Sequence, residues 1–433
     1  MARVALASSG LVDTRSLEQA AAALHDRSAQ LIGWGSGSVF DYFHGQQPVR
    51  LDYLVDSDAG RWGETRHGIE IVPPGRLARD HGPSTFVIIY SSSWPEIQDA
   101  LASMGDIASL PASAVFADAP ARAKLAWAET LAASARRRRL SRTDLAIVVQ
   151  GPIVPMVTAR VLGAMSALHA RDLIVLSTWD DTDPALLAEV ADLVDEVVTS
   201  PRPEPAGVQN RNCQIVSTRT GIERAIARGA RRVLKTRTDL AVLGRDVFQQ
   251  ARWWCDAVGR RPARLAGLYD RLIVPSSFTR KYLLYHPSDL VMLGDARDMQ
   301  AYWHAPLDPR DGQFLAPDWI DQPLSLVNMG GHPAESYLGL EFCRTIGRPV
   351  DGTLSDSWAF YRDLFAVVDN DWFDLLWFKN LAIPDAALRT GVRQTVSQSF
   401  WQRLQTDEAS VTEERDEIDP DTIPLRDLAG APV

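Results

Sequence analysis

Two stretches decide the fold: Leu145-Ala146-Ile147-Val148-Val149-Gln150-Gly151-Pro152 and Val233-Leu234-Lys235-Thr236-Arg237-Thr238-Asp239-Leu240. Each is an apolar run with polar residues toward its end. Between them Asp172-Leu173-Ile174-Val175-Leu176, followed by Ser177-Thr178-Trp179-Asp180-Asp181, repeats the pattern. Short apolar runs bounded by turn residues read as buried strands. Polar residues gathered at the carboxyl ends of parallel strands are where open α/β sheets bind ligands.

The segment between the second and third runs fits that scheme. Gly207-Val208-Gln209-Asn210-Arg211-Asn212 leads into a helical stretch through Gln214, Ser217, Gly221, Ile222 and Ala225, which stops at Gly229. Strands alternating with helices imply a parallel sheet. A helix amino terminus offers free N–H groups and a positive dipole, so Asn210 and Asn212 are placed either to receive a diphosphate or simply to cap the helix.

Working outward, residues 17 to 110 carry an α/β pattern of their own: a helix near Leu17–His25 and strands at Gln30–Gly33, Leu51–Asp56 and Phe86–Tyr90. The expected division is a Rossmann-like domain over 1–111, a basic helical linker over 112–143, a second α/β domain over 144–404 and an acidic, disordered tail over 405–433. The linker ends in Arg136-Arg137-Arg138-Arg139, a solvated helix face that also offers a weak contact to anionic headgroups. The carboxyl half of the second domain is rich in aromatics, among them Trp303, Trp319, Trp358, Tyr361, Trp372 and Trp377. Most are expected in the core, with one or two left to line a pocket.

Composition narrows the function classes. The 433 residues are 46% hydrophobic and 23% charged, with a net charge of −10, which argues against a general nucleic-acid binder. Cys213, Cys255 and Cys343 lie far apart and outside zinc-type spacing, so free thiols in a reducing cytoplasm are expected. No apolar run approaches the roughly 20 residues of a membrane span.

The chemistry concentrates at Lys235, Arg237 and Asp239, which alternate along one strand and so share a face. A carboxylate between cations suits a diphosphate, with or without Mg²⁺ or Mn²⁺. Paired singly with Arg237, Asp239 is equally an ordinary ion pair at a strand end.

Taken in order, Gln150-Gly151-Pro152, Ser177-Thr178-Trp179, Asn210-x-Asn212-x-Gln214, Lys235-Thr236-Arg237-Thr238-Asp239, His286-Pro287-Ser288-Asp289 and Glu335-Ser336-Tyr337-Leu338 resemble the WavE family of lipopolysaccharide synthesis. More distantly the block is similar to GT-A nucleotide-sugar transferases, in which an Arg-Asn helix precedes a strand ending in Asp-x-Asp. Only the last Asp is present here, because Arg237 stands two residues before Asp239.

The resemblance implies a GT-A-like glycosyltransferase moving a sugar from a nucleoside-diphosphate donor to a glycan or lipid-linked acceptor at the cytoplasmic face of the membrane. It implies donor binding by Gln150, Gly151, Thr178, Asp180, Asn210, Asn212, Lys235 and Arg237. A Mg²⁺ or Mn²⁺ would sit at Asp239, although Arg237 or Lys235 could offset the diphosphate charge without an ion. Inverting transfer needs a carboxylate to take the acceptor proton, and the resemblance supplies Glu335 or Asp289, with Glu335 favoured after the glycine-rich segment Met329–Pro333.

The amino-terminal domain carries a competing reading. Gly33-x-Gly35 after a strand, with Asp56 closing the next, resembles a dinucleotide fingerprint whose third glycine is displaced. An NAD(P)-dependent oxidoreductase or epimerase would follow, but no Tyr-x-x-x-Lys pair occurs in the chain, so NAD(P) is not expected there. A docking module within a glycan-synthesis assembly is the third possibility.

Overall fold

The computed structural model describes residues 14–91, 94–105, 107–135, 143–155, 157–259, 266–310, 321–378, 395–406, 411 and 419–424. The chain divides into two compact units, and the boundary between Trp127 and Ala128 falls inside the helix Ala119–Ser134. Arg136–Arg139 and Trp319 lie outside the described residues. Both large sheets are mostly parallel, the α/β class that the strand and helix alternation predicts.

In the first unit, β1 (Gln30–Trp34), β2 (Tyr53–Val55), β3 (Thr65–Arg66), β4 (Ile69–Val72), β5 (Thr85–Ile89) and β6 (Ala108–Pro111) form one sheet in the order β3-β4-β2-β1-β5-β6. All pairs but β3 with β4 are parallel. Ile32, Val55, Val87 and Ile89 form its core with Trp34, Leu77 and Leu101.

The second unit has β7 (Leu145–Gln150), β8 (Leu173–Trp179), β9 (Glu196–Ser200), β10 (Arg232–Arg237), β11 (Leu240–Val242), β12 (Leu272–Pro275), β13 (Met292–Asp295), β14 (Phe365–Val368) and β15 (Leu375–Trp377). Seven of them order as β14-β12-β13-β10-β7-β8-β9, while β11 and β15 pair separately. Strands β7 to β10 run parallel, and β13 is antiparallel to both β10 and β12. Every residue of β8 is buried, as continuous apolar runs in a doubly covered sheet require.

The chain steps from β7 to β8 to β9 on one side, then returns to place β10 on the other side of β7. That reversal is a topological switch point, which opens a crevice at the carboxyl ends of β7 and β10. The register sets Arg237 opposite Gln150, and Gln150 opposite Ser177. Along the crossover to β10, the helix Arg211–Ala227 packs so closely that a methyl group on Gly221 would sit 2.4 Å from Val148 Cγ1.

Two expectations are corrected. The third apolar run is not one strand: β10 ends at Arg237, Thr238 and Asp239 turn the chain, and Leu240 begins the small second sheet. The Thr238 amide still donates to the Gln150 carbonyl, the last rung between β10 and β7, and the chain turns after it. The acidic tail is also not disordered throughout. Leu324 and Ser325 amides donate to Ile423 and Pro420 carbonyls, which fixes residues 419–424 against the helix Leu324–Met329.

Candidate functional site

At the switch point, Lys235 and Arg237 share one face of β10, but their environments differ. Lys235 is fully buried, with its ammonium donating to the Asp289 carbonyl and lying 4.8 Å from the centre of the Trp303 ring. Burial pushes its pKa down to about 8, against the pull of Asp289. An ammonium so enclosed cannot touch a donor phosphate, so Lys235 supports the Asp289 loop from beneath.

Arg237 is 30% exposed at the side chain and forks onto Asp239 through Nε at 2.8 Å and Nη2 at 3.0 Å. Burial opposes its charge, but Asp239 more than offsets this and holds the guanidinium protonated. Trp377 Nε1 donates to Asp239 Oδ2 at 3.2 Å, and the Arg237 guanidinium lies 5.6 Å from the Trp377 ring centre.

The fit of a metal to Asp239 follows from these contacts. Both carboxylate oxygens face a guanidinium and one also accepts an indole N–H, which is an anion held by fixed donors, not an open ligand for a hard cation. Among the described residues no cluster of three His, Cys, Asp or Glu side chains could hold an ion. The expected Mg²⁺ or Mn²⁺ therefore does not fit at Asp239.

Two further carboxylates reach this cluster. Asp289 accepts from Gln214 Nε2 at 2.5 Å, a bond that ties the helix Arg211–Ala227 to the site. Glu335, in the first turn of the helix Ala334–Thr345, has Oε2 3.5 Å from His286 Nε2. Burial raises the Glu335 pKa well above the usual carboxylate range, and the nearby Asp289 charge adds to it. His286 is pushed the other way, down to about 4, by burial and then by Arg280.

The remaining donor candidates separate. Gln150 accepts from Ser217 Oγ at 2.7 Å, the Gly151 amide donates to the Ser177 carbonyl, Thr178 is buried, and Asp180 is exposed at the end of β8. Asn210 is exposed in the left-handed region with no capping bond from its side chain. Asn212 is not a ligand group. Its amide nitrogen donates to the Pro205 and Asp308 carbonyls, and its oxygen accepts the Asp308 amide.

Arg211, also buried, donates to the Gly331 and His332 carbonyls, while Arg310 donates to those of Gly330 and Gly331. The glycine-rich segment before Glu335 is thereby tethered on two sides.

Sequence reasoning missed Arg280. It is half-buried, its guanidinium faces no carboxylate partner among the described residues, and burial lowers its pKa against the opposing pull of Glu335. The segment from Ser276 to Tyr285 has no periodicity, so nothing in the sequence points Arg280 at the site. His286 stood in a motif without a role, and Trp377 among aromatics with none singled out.

Residues 145–318 match the WavE lipopolysaccharide synthesis family. The WavE segment holds the switch point, Lys235, Arg237, Asp239, Arg280, His286 and Asp289, whereas Glu335 and Trp377 lie beyond it. The match ties this segment to glycan synthesis, and so to a sugar donor and a glycan acceptor in general. No curated protein and no solved structure gives a match.

In the first unit, the fingerprint residues serve the fold. A methyl group on Gly35 would sit 2.4 Å from the Tyr90 carbonyl, and one on Gly33 would sit 2.5 Å from Leu54 Cδ2. Asp56 accepts the Ser36 amide and hydroxyl at 3.0 and 2.5 Å, the Asp58 amide at 2.9 Å and Arg61 Nη1 at 3.3 Å. The carboxylate that would meet a ribose in a dinucleotide site is engaged with its own loop. Among the described residues no helix is long and apolar enough to cross a membrane.

Proposed function

We propose that the second unit is a nucleotide-sugar-dependent glycosyltransferase that adds a sugar to a lipopolysaccharide-type or capsule-type surface glycan. The observation that carries this reading is the juxtaposition, at the switch point of a parallel sheet, of two arginines with a buried carboxyl group, Glu335, held near neutrality. Gln150, Gly151 and Asp180 line the β7 and β8 ends for the nucleotide. Arg237 and Arg280 face the diphosphate, where fixed cations in a dry site stabilise the charge that grows as it departs.

In an inverting transfer the acceptor oxygen bonds to the anomeric carbon while the bond from that carbon to the diphosphate oxygen breaks. The bonding pair leaves on the diphosphate, and the hydroxyl proton passes to ionised Glu335. A base with a pKa near the working pH is the effective choice for such a proton. Asp289, fixed by Gln214 and by Lys235 beneath its carbonyl, keeps Glu335 basic through its charge.

Because Asp239 is held by Arg237 and Trp377, the reading assigns the leaving-group charge to arginines. Transfer is therefore expected to persist in EDTA. Thermal-shift screening against UDP-, GDP-, CMP- and dTDP-sugars, followed by a transfer assay with the stabilising donor, tests the proposal; no stabilisation by any nucleotide sugar sinks it.

A further inference from the structure

His286 takes no part in the transfer step. Its backbone is held on both sides: the amide donates to Tyr361 Oη at 2.7 Å, and the carbonyl accepts the Arg280 amide at 3.0 Å. Two neighbours, Phe278 at φ +65° and Tyr285 at φ +52°, occupy the left-handed region. Non-glycine residues persist there only when the surroundings over-determine them, at about 1–3 kcal/mol each.

The Phe278 carbonyl lies 3.1 Å from His286 Nδ1. A carbonyl only accepts, so Nδ1 carries the proton and the neutral ring presents a bare lone pair at Nε2. Glu335 Oε2 lies 3.5 Å from that nitrogen.

We propose that His286 is a positioning residue for Glu335: its unprotonated Nε2 accepts the carboxyl proton, aims the group, and stabilises its acid form over its carboxylate. The inference rests on the reading of Glu335 as the acceptor base. A hydrogen bond available only to the neutral form disfavours ionisation. When Glu335 ionises, its proton goes to solvent and the Nε2 lone pair is left facing a carboxylate. That arrangement favours recapture of a proton from the acceptor hydroxyl.

Other charges face the pair from every side. Asp289 opposes ionisation of Glu335, Arg280 and Arg211 favour it, and Lys235 and Arg237 sense the same charge from β10. Buried Tyr302 and Tyr361 complete the surroundings. Burial, and after it Arg280, keeps the imidazole neutral, so His286 does not store the proton itself.

The test is an infrared pH titration of the ligand-free full chain, with the protonated-carboxyl band assigned by its loss in Glu335→Gln. In His286→Gln the amide can turn a donor toward the carboxylate. The band is expected to vanish at least about one pH unit lower than in the unmutated chain, a tenfold change in acid dissociation. The acid limb of kcat/KM should move by the same amount. Identical titrations in both proteins would overturn the proposal.

Should His286→Gln not fold, ¹⁵N-histidine spectra of the unmutated chain and Glu335→Gln decide instead. An Nδ1–H tautomer at neutral pH, whose Nε2 signal follows the Glu335 titration, supports the pairing. An Nε2–H tautomer or an imidazolium refutes it. A shifted band in a chain that transfers no sugar would leave the pair standing and remove the transferase reading alone.

Discussion

The carboxylate that follows β2, Asp56, receives two backbone amides, a hydroxyl and a guanidinium, all within its own unit. In the second unit Glu335 meets one imidazole nitrogen at 3.5 Å, and Arg280 stands beside it without a carboxylate partner among the described residues. Both sheets reverse direction at a central strand and present polar residues there, so topology does not separate them. What separates them is local satisfaction. A crevice whose polar groups complete one another is architecture, whereas one that keeps an acid with a raised pKa and a cation without a carboxylate partner among the described residues has capacity left for a ligand.

The sharpest way to break this comparison is to remove the acid. Glu335→Gln is expected to lower sugar transfer by about 10²–10⁴-fold, the usual worth of a positioned general base, with an unchanged far-ultraviolet circular dichroism spectrum. Near-normal turnover would place the chemistry elsewhere. Arg280→Met should cost about 10²-fold in kcat, in line with the loss of one fixed charge-stabilising donor. If it raised KM alone, Arg280 would bind donor and transition state equally.

Stability against pH sharpens the same contrast. Glu335 keeps its proton in the folded chain over a range where the unfolded chain has lost it, so the folded state binds more protons there. Its contribution is fully present below the ordinary carboxylate value and is lost as pH rises through the elevated one. Urea midpoints should therefore fall across that window, and the fall should flatten in Glu335→Gln; equal slopes would contradict the raised value.

The smallest effect on activity belongs to the first unit. Asp56→Ala should destabilise the chain by about 1–3 kcal/mol through its orphaned loop donors, while donor-induced thermal shifts and transfer stay as they were. A loss of donor response would mean that the first unit takes part in catalysis.

Much of this contrast was already written in the residues. The uninterrupted apolar runs at Leu145–Val149 and Leu173–Leu176 read as covered strands, and Gly229 follows the end of the helix before β10 as its position suggests. The stretch from Lys235 to Asp239 likewise announced where charge would gather. Its internal order was hidden, because nothing local tells whether an ammonium faces solvent or the underside of a distant loop.

The sequence by itself determined the α/β class, the strand ends that carry polar groups, and the likeness to the WavE family. Only the tertiary structure decided which of those groups are used up. It buried Lys235 under Asp289, closed Asp239 on Arg237 and Trp377, turned Asn212 onto backbone carbonyls, and brought His286 to Glu335. The physical reason is range. Strand and helix patterns arise from neighbours a few residues apart, whereas protonation and hydrogen-bond satisfaction depend on partners that meet only when the chain folds.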